Sequence, residues 1–190
     1  MEHHLAIKYS QIKDLHTARY GAGMGVRWLG ICLNPSSDHF VSPETLAQIQ
    51  QWVVGPLWVG EVSAGITPEQ QAAYTLDALQ TDDPAALPAL HATGLPLWLR
   101  ITSPNPDDWK KVMERSSPRP DYFLLEPLLP HALTQAHLQS LDELSAVYPL
   151  VLGFGWTAQN ALSLQEGGLA GLAVSGDLDA CAELLEAILD

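Results

Sequence analysis

The chain has 190 residues, of which 47% are hydrophobic and 16% are charged, and its formal net charge is −13. This balance excludes a disordered chain, and no apolar run approaches the roughly 20 residues that a membrane span needs. The acidic charge argues against nucleic acids and anionic membranes as partners, because both attract basic protein surfaces.

Short apolar runs with the character of β-strands recur along the whole chain. Several of them are apolar at nearly every position, which is typical of strands that are covered on both faces. We predict eight strands, at residues 4–11, 27–33, 57–62, 76–80, 95–101, 121–126, 150–154 and 169–174.

Helix start signals lie between these runs. Proline follows three of the capping residues at a first-turn position, where its missing N–H is not needed. The last segment, DLDACAELLEAILD, has apolar residues at helical spacing. The residues that we expect to open helices are Asp14, Ser42, Thr67, Asp83, Thr157 and Asp177.

The alternation of strands and helices predicts a parallel sheet with crossover helices. Eight βα units with short connections favour a closed barrel, so we expect an α/β fold of the contracted (β/α)8 or TIM-barrel class, with residues 1–190 in one domain. An open doubly wound sheet is the alternative, although the first βα turn lacks G-x-G-x-x-G. The segment GAGMG at 21–25 ends the first helical stretch, so we interpret it as a helix stop.

The cysteines and the first residues bear on the cellular setting. Cys32 and Cys181 are too few for a disulfide framework, so we expect a reducing cytoplasm. The start, MEHHLAIKYS, has no basic segment followed by an apolar run, so we expect no signal peptide. His3 and His4 are adjacent and would point to opposite faces of a strand. We therefore expect neither a metal site nor a cofactor.

Several segments carry a family resemblance. The opening, IKYSQIKDLHTARYGAGMGVRWLGICLNPSSDHFVSPE, is followed in order by DALQTDD, PDYFLLE, VLGFGWTAQN and GLAVSGD. These segments resemble K-I-C-G-I-T with its helix, L-G-F and P-x-S-P-R-Y-V, then D-V-V-Q-L-H-G, A-D-x-I-L-L-D, L-A-G-G-L-T-P-E-N and G-V-D-V-S-S-G. That series is typical of phosphoribosylanthranilate isomerases. The resemblance covers most of the chain and implies a TIM barrel and a place in tryptophan biosynthesis.

The resemblance also implies an active site at the carboxyl ends of the strands. The family rearranges an aminoaldose phosphate to an aminoketose, with a cysteine on the first strand as general base and an aspartate after the sixth as general acid. Ser10 matches the cysteine and Glu126 matches the aspartate. A thiol with an ordinary pKa of about 8.5 can be tuned to a thiolate, whereas a serine hydroxyl needs a neighbouring base. We therefore expect isomerase activity to be weak, altered or lost.

The resemblance implies substrate-binding residues as well. His39 stands where the family has the arginine of S-P-R-Y-V, and PLLPHALTQAH replaces a Gly-rich phosphate loop. Gly155, Ser175 and Gly176 are what remains of the phosphate cradle, and they precede predicted helices. The candidate substrate-binding residues are His39, Gln80, Arg100, Gly155, Ser175 and Gly176.

Other candidates have structural interpretations beside the functional ones. Gln80 and Asp82 lie near the top of the fourth strand and either line the pocket or serve packing and capping. Arg100 ends the fifth strand, where an ion pair with Glu126 at the rim is compatible with a catalytic role for Glu126. We expect Lys8 to pair with a carboxylate rather than to contact substrate.

Three functions remain open at this point. The chain is an isomerase of the named family, a non-catalytic barrel that binds a small anionic metabolite or a protein partner, or an enzyme of another specificity that uses Glu126. The fold alone does not choose among them. Trp156 stands where the family has a smaller leucine, and we expect it to fill part of the substrate site. We expect the partner to be a small anionic metabolite, which includes phosphorylated ones. The oligomeric state stays open.

Overall fold

Eight parallel strands close into a barrel in the order of the sequence in the computed structural model, which describes residues 6–127 and 132–189. Each strand pairs with the next, and the eighth pairs with the first, where Ser10 lies opposite Ser175. The contracted (β/α)8 class predicted from the alternation of elements is confirmed. The strands are β1 Ile7–Ser10, β2 Trp28–Cys32, β3 Leu57–Val62, β4 Ala78–Thr81, β5 Leu97–Ile101, β6 Tyr122–Leu125, β7 Leu150–Leu152 and β8 Gly171–Ser175.

A helix follows each strand, and several helices are short. They are α1 Leu15–Gly23, α2 Pro43–Gln50, α3 Pro68–Ala73, α4 Leu87–His91, α5 Pro106–Arg115, α6 Gln135–Ser145, α7 Ala161–Glu166 and α8 Leu178–Leu189, with a 3-10 turn at Pro84–Ala86 before α4. The side chains of Asp14, Ser42 and Thr67 accept hydrogen bonds from backbone N–H groups in the first turns of α1, α2 and α3. Among the described residues, no helix is long and apolar enough to cross a membrane.

The predicted bounds hold for β3 and are wrong at the ends of other strands. The fourth strand runs from Ala78 to Thr81 rather than over 76–80, and the eighth from Gly171 to Ser175 rather than over 169–174. The apolar residues before these strands pack on helices without joining the sheet, so hydrophobicity alone does not mark the first hydrogen-bonded residue. The predicted helix after Thr157 begins at Ala161 instead. GAGMG ends α1 as predicted, with Gly25 at a φ of +76°.

Apolar side chains fill the barrel and the layer outside it. Trp28, Trp98 and Tyr122 form an aromatic cluster near the amino ends of their strands, with ring centroids 4.4 to 5.4 Å apart. The residues next to them in sequence belong to a separate, larger cluster that packs against the helices. Because successive strand residues face opposite sides, the aromatic cluster lies inside the barrel and closes its lower half.

Polar residues occupy the same inner face toward the carboxyl ends of the strands. Residues two apart on a strand face the same side, so Arg100 points inward like Trp98. In the same way Gln80 follows the inward Ala78 on β4, and Glu61 follows the inward Val59 on β3. The inside of the barrel therefore changes from apolar at the bottom to charged at the top. This upper layer is where a TIM barrel places its functional site.

Candidate functional site

Two adjoining cavities open at the carboxyl ends of the strands. The large cavity, of about 590 Å³, lies over β6–β8, and the small cavity, of about 170 Å³, lies over β2–β4. Gln11 and Arg100 line both of them, so these two side chains form the boundary between the cavities. The residues that line the large cavity include Glu126, Gly155, Trp156 and Ser175; those that line the small cavity include His39, Glu61, Gln80 and Asp82.

Ser10 lies at the end of β1, and its hydroxyl is engaged inside the barrel. The side chain is 3% exposed, and its Oγ accepts a very short hydrogen bond from Lys8 Nζ. Lys8 is fully buried, and its Nζ lies 2.6 Å from Glu61 Oε1. The expected pairing of Lys8 with a carboxylate is confirmed, and Glu61 is the partner. Ser10 is not among the residues that line the two cavities.

The electrostatics of this cluster bear on whether Ser10 can act as a base. Burial raises the pKa of Glu61, but the adjacent Lys8 ammonium, the Ser10 hydroxyl and the more distant Arg100 together hold that pKa below its ordinary value. A carboxyl with a lowered pKa is a weaker base, and an ammonium group has no lone pair to accept a proton. The two groups next to Ser10 therefore stabilise its hydroxyl as a hydrogen-bonding group and do not activate it.

Gly30 on β2 makes room for the Lys8–Glu61 pair. A Cβ atom at this position would overlap Glu61 Oε1 and lie 2.8 Å from Lys8 Nζ. Real Cβ atoms do not come this close to other heavy atoms, so an alanine at position 30 would force the ends of the Glu61 and Lys8 side chains to shift. The strand sequence WLGIC thus places a glycine where the interior is most crowded with charge.

Glu126 directly follows β6 and is held by an arginine. Its Oε2 lies 3.0 Å from Arg100 Nη1, and Arg100 also donates to both carboxylate oxygens of Asp82, at 2.8 and 2.6 Å. The ion pair expected between Arg100 and Glu126 is present. Within residues 6–127 and 132–189, no hydrogen-bond partner reaches the buried Oε1 of Glu126. The carboxyl group therefore has one fixed oxygen and one oxygen that still lacks a donor.

A glycine also shapes the position of Glu126. A Cβ atom on Gly153, just after β7, would lie 3.1 Å from Glu126 Cβ and 3.2 Å from its Cγ. These distances are tighter than ordinary contacts, so a larger residue would displace the glutamate. Gly153 and Arg100 together set where the Glu126 carboxyl lies.

Gln11, between the two cavities, has an unusual backbone conformation. Its φ is +63°, in the left-handed region that favours glycine. In the family motif K-I-C-G the matching position is the glycine. A residue other than glycine in this conformation costs about 1 kcal/mol or more, and such residues cluster at functional sites. The glutamine side chain that is gained here lies at the centre of the barrel mouth.

The structure places the remaining candidates around both cavities. Gln80 is 3% exposed and lines the small cavity, and its Oε1 has no hydrogen-bond partner. His39 lines the same cavity, and its backbone N–H donates to Ser37 Oγ. Gly155 and Ser175 line the large cavity, whereas Gly176 lines a separate cavity beside α1 and α8. Gly155 and Ser175 thus face one cavity, and Gly176, the residue after Ser175, faces a neighbouring cavity that Gln11 also lines.

Trp156 forms part of the wall of the large cavity. It is 8% exposed, and its Nε1 donates to the backbone oxygen of Ala173 at 3.1 Å. Phe154 lies beside it on the same segment and also lines the cavity. This side of the cavity is therefore aromatic.

Sequence reasoning missed Glu61 and Gln11. A single glutamate in the apolar strand LWVGEV was the signal for Glu61, because a charge on a buried strand requires a partner. The loss of the motif glycine was the signal for Gln11. Residues 128–131, in the segment expected to replace the phosphate loop, lie outside the described residues, as do His3 and His4. Within the described residues, no group of three or more His, Cys, Asp or Glu side chains could hold a metal ion.

Comparison with solved structures identifies the fold as that of phosphoribosylanthranilate isomerases. The enzyme of Thermotoga maritima is 18% identical, with a TM-score of 0.77 over 97% of each chain. The enzyme of Thermus thermophilus is 18% identical, with a TM-score of 0.74 over 97% of this chain and 96% of that one. The resemblance found in the sequence is thus confirmed for the fold.

A third structure of this kind contains a ligand. It is a phosphoribosylanthranilate isomerase in complex with reduced 1-(o-carboxyphenylamino)-1-deoxyribulose 5-phosphate, 16% identical, with a TM-score of 0.74 over 97% of this chain and 96% of that one. By sequence, no protein-family model and no curated protein matches the chain.

Proposed function

We propose that this protein binds a small molecule at the mouth of a phosphoribosylanthranilate isomerase fold and does not catalyse the isomerisation. The observation that carries the proposal is the state of Ser10, whose buried Oγ is bonded to Lys8 beside Glu61. The reaction needs a group that removes a proton from the sugar carbon. The carboxylate next to Ser10, Glu61, is paired with Lys8 and has a lowered pKa, so it is a poor base for activating the hydroxyl.

The groups available to bind a phosphate support the same proposal. Arg100 is the cation among the described residues that line the large cavity, and it is bonded to Asp82 and Glu126. Phosphate recognition normally uses a free cation or converging backbone N–H groups. Among the described residues of the large cavity, a phosphorylated substrate would meet no guanidinium that is free of carboxylate partners.

The cavity itself supports binding. Its volume of about 590 Å³ is within the range of small-molecule sites, and it lies where barrels of this class bind ligands. A buried carboxylate oxygen without a donor, on Glu126, is a group that a ligand could pair with.

Complementation tests the proposal. A bacterium that lacks the isomerase, grown without tryptophan, should not be rescued by this chain, and growth above the empty-vector control would refute the proposal. Ser10→Cys is the matched variant, since it restores the thiol of the family motif. We expect no rescue by this variant either, because the sequence does not retain the Gly-rich phosphate loop of the family. Rescue by Ser10→Cys alone would show that the cavity still binds the family substrate.

A second function is favoured by the geometry of Glu126. Its Oε2 is oriented by Arg100 and its Oε1 lacks a partner, which is the arrangement of a carboxyl group available for proton transfer. An enzyme of another specificity would use Glu126 as its sole acid–base group. Such an enzyme would lose turnover on Glu126→Gln while keeping its affinity for the substrate, whereas a binding protein has no turnover to lose.

A further inference from the structure

The two cavities at the barrel mouth differ in chemical character. The described wall of the large cavity has an apolar side that includes Phe154, Trp156, Val174 and Leu184. TIM barrels often bind phosphate with the loops after strands 7 and 8, which is where this wall lies. Here that location offers aromatic and aliphatic surface.

The small cavity offers acceptors of hydrogen bonds. Glu61 and Asp82 contribute carboxylates to its wall, and Arg100, which it shares with the large cavity, is bonded to Asp82 and Glu126. Counted with Lys8, the connected charges around this wall are three carboxylates and two cations, so the wall keeps an excess of negative charge, which disfavours an anionic group and favours a donor.

Gln80 gives the second, independent indication. Gln80 is 3% exposed and lines the small cavity, and among the described residues its Oε1 has no hydrogen-bond partner. Buried acceptors are nearly always paired, so one without a donor at a cavity wall marks the place where a donor from outside binds. An N–H group of a ligand would supply it.

We propose that the ligand is a primary amine that carries an aromatic ring, with the ring in the large cavity and the ammonium group in the small one. This inference rests on the proposed function, that the mouth binds a small molecule. The ring packs against Trp156 and Phe154, where aromatic pairs prefer offset or edge-to-face contacts. The ammonium group donates to Gln80 Oε1 and lies near the carboxylates of Glu61 and Asp82.

A matched set of three probes tests the charge preference without any variant. Phenethylamine, phenethyl alcohol and hydrocinnamate share a phenyl ring on a short chain and end in an ammonium, a hydroxyl and a carboxylate group. In calorimetric titrations we expect phenethylamine to bind at least about tenfold more tightly than hydrocinnamate, with the alcohol between them. Equal or tighter binding of hydrocinnamate, or no binding of phenethylamine, would overturn the inference.

A variant then locates the amine end of the ligand. Gln80→Leu removes the acceptor at nearly constant volume and should weaken phenethylamine by about tenfold, which corresponds to the loss of one hydrogen bond to a charged group. Gln50→Leu is the matched control, because Gln50 bonds Thr75 on the exposed side of α2. Unchanged affinity in Gln80→Leu would contradict the assignment of the small cavity.

Inorganic phosphate and the isomerase substrate separate this inference from the proposed function. Phosphate that displaces phenethylamine at millimolar concentration would overturn the inference, because it would reveal an anion site. Turnover of phosphoribosylanthranilate would refute the proposed function, and the amine titrations would still decide the ligand class. Absence of both turnover and amine binding would leave the first proposal standing and reject this one.

Discussion

Replacing Glu61 by glutamine removes the negative charge that neutralises Lys8 inside the barrel. Lys8 is fully buried and Glu61 is 15% exposed, with 2.6 Å between Nζ and Oε1. Breaking a buried ion pair by removing one partner typically costs about 3–5 kcal/mol, because the other charge stays buried without compensation. The slight exposure of Glu61 favours the lower end, so we expect a loss of about 3 kcal/mol.

Urea unfolding followed by circular dichroism measures this loss in the free energy of unfolding. Thermal melts measure it as well: for a chain of this size each kcal/mol lowers the melting temperature by about 2–4 °C, so Glu61→Gln should melt roughly 6–12 °C below the parent. Glu143→Gln is the matched control, because Glu143 is exposed on α6. Surface substitutions of this kind usually change stability by less than about 0.5 kcal/mol.

The double variant Lys8→Met/Glu61→Gln distinguishes the effect of the lost ion pair on stability from the effect of altered side-chain packing. It removes both charges and keeps side chains of similar volume, so it should recover most of the stability that Glu61→Gln loses. A Glu61→Gln variant within about 1 kcal/mol of the parent would refute the claim that this pair is buried and coupled. So would a double variant that is less stable than both single variants.

Three further predictions concern the same region. Gly30→Ala should cost about 1–3 kcal/mol, because its Cβ would overlap Glu61, and thermal melts will measure the loss. The pKa of Glu61 is lowered in the folded chain, so its contribution to stability is present above the ordinary value of 4.5 and is lost as the pH falls through the lowered pKa. Urea titrations across this acidic range should show that loss in the parent and not in Lys8→Met/Glu61→Gln. Trp156→Ala should cost about 3–5 kcal/mol and enlarge the large cavity in a crystal structure.

Each of these has a result that would contradict it. A Gly30→Ala variant as stable as the parent would mean that the pair can shift away from a methyl group. An equal acid dependence in parent and double variant would assign the effect to other carboxylates. An unchanged cavity in Trp156→Ala would contradict the view that this indole forms its wall.

The fold followed from the sequence because its signals are local. Each strand is a short apolar run and each connection is short, so the alternation could be read without knowing which strands meet. The errors lie at the ends, as at β4, where Leu76 continues the apolar pattern without joining the sheet. The helices α5 and α6 begin after the capping residues Asn105 and Thr134, whose side chains accept hydrogen bonds from backbone N–H groups of the first turn.

The site was less accessible because it depends on closure. Lys8 and Glu61 are 53 positions apart, and only the barrel brings them together around Gly30. The family motif pointed to Ser10 as the changed base, but it did not reveal that the hydroxyl is already engaged. The pairing of Arg100 with Glu126 was predictable, because both end neighbouring strands of a parallel sheet.

The central claim is that a barrel whose first-strand hydroxyl is engaged by an ammonium group binds ligands without isomerising the sugar. The most direct measurement follows the fluorescence of phosphoribosylanthranilate in the presence of the purified chain at high concentration. We predict a rate equal to that of the substrate in buffer alone. A faster rate that scales with protein concentration and is abolished by Glu126→Gln would contradict the claim.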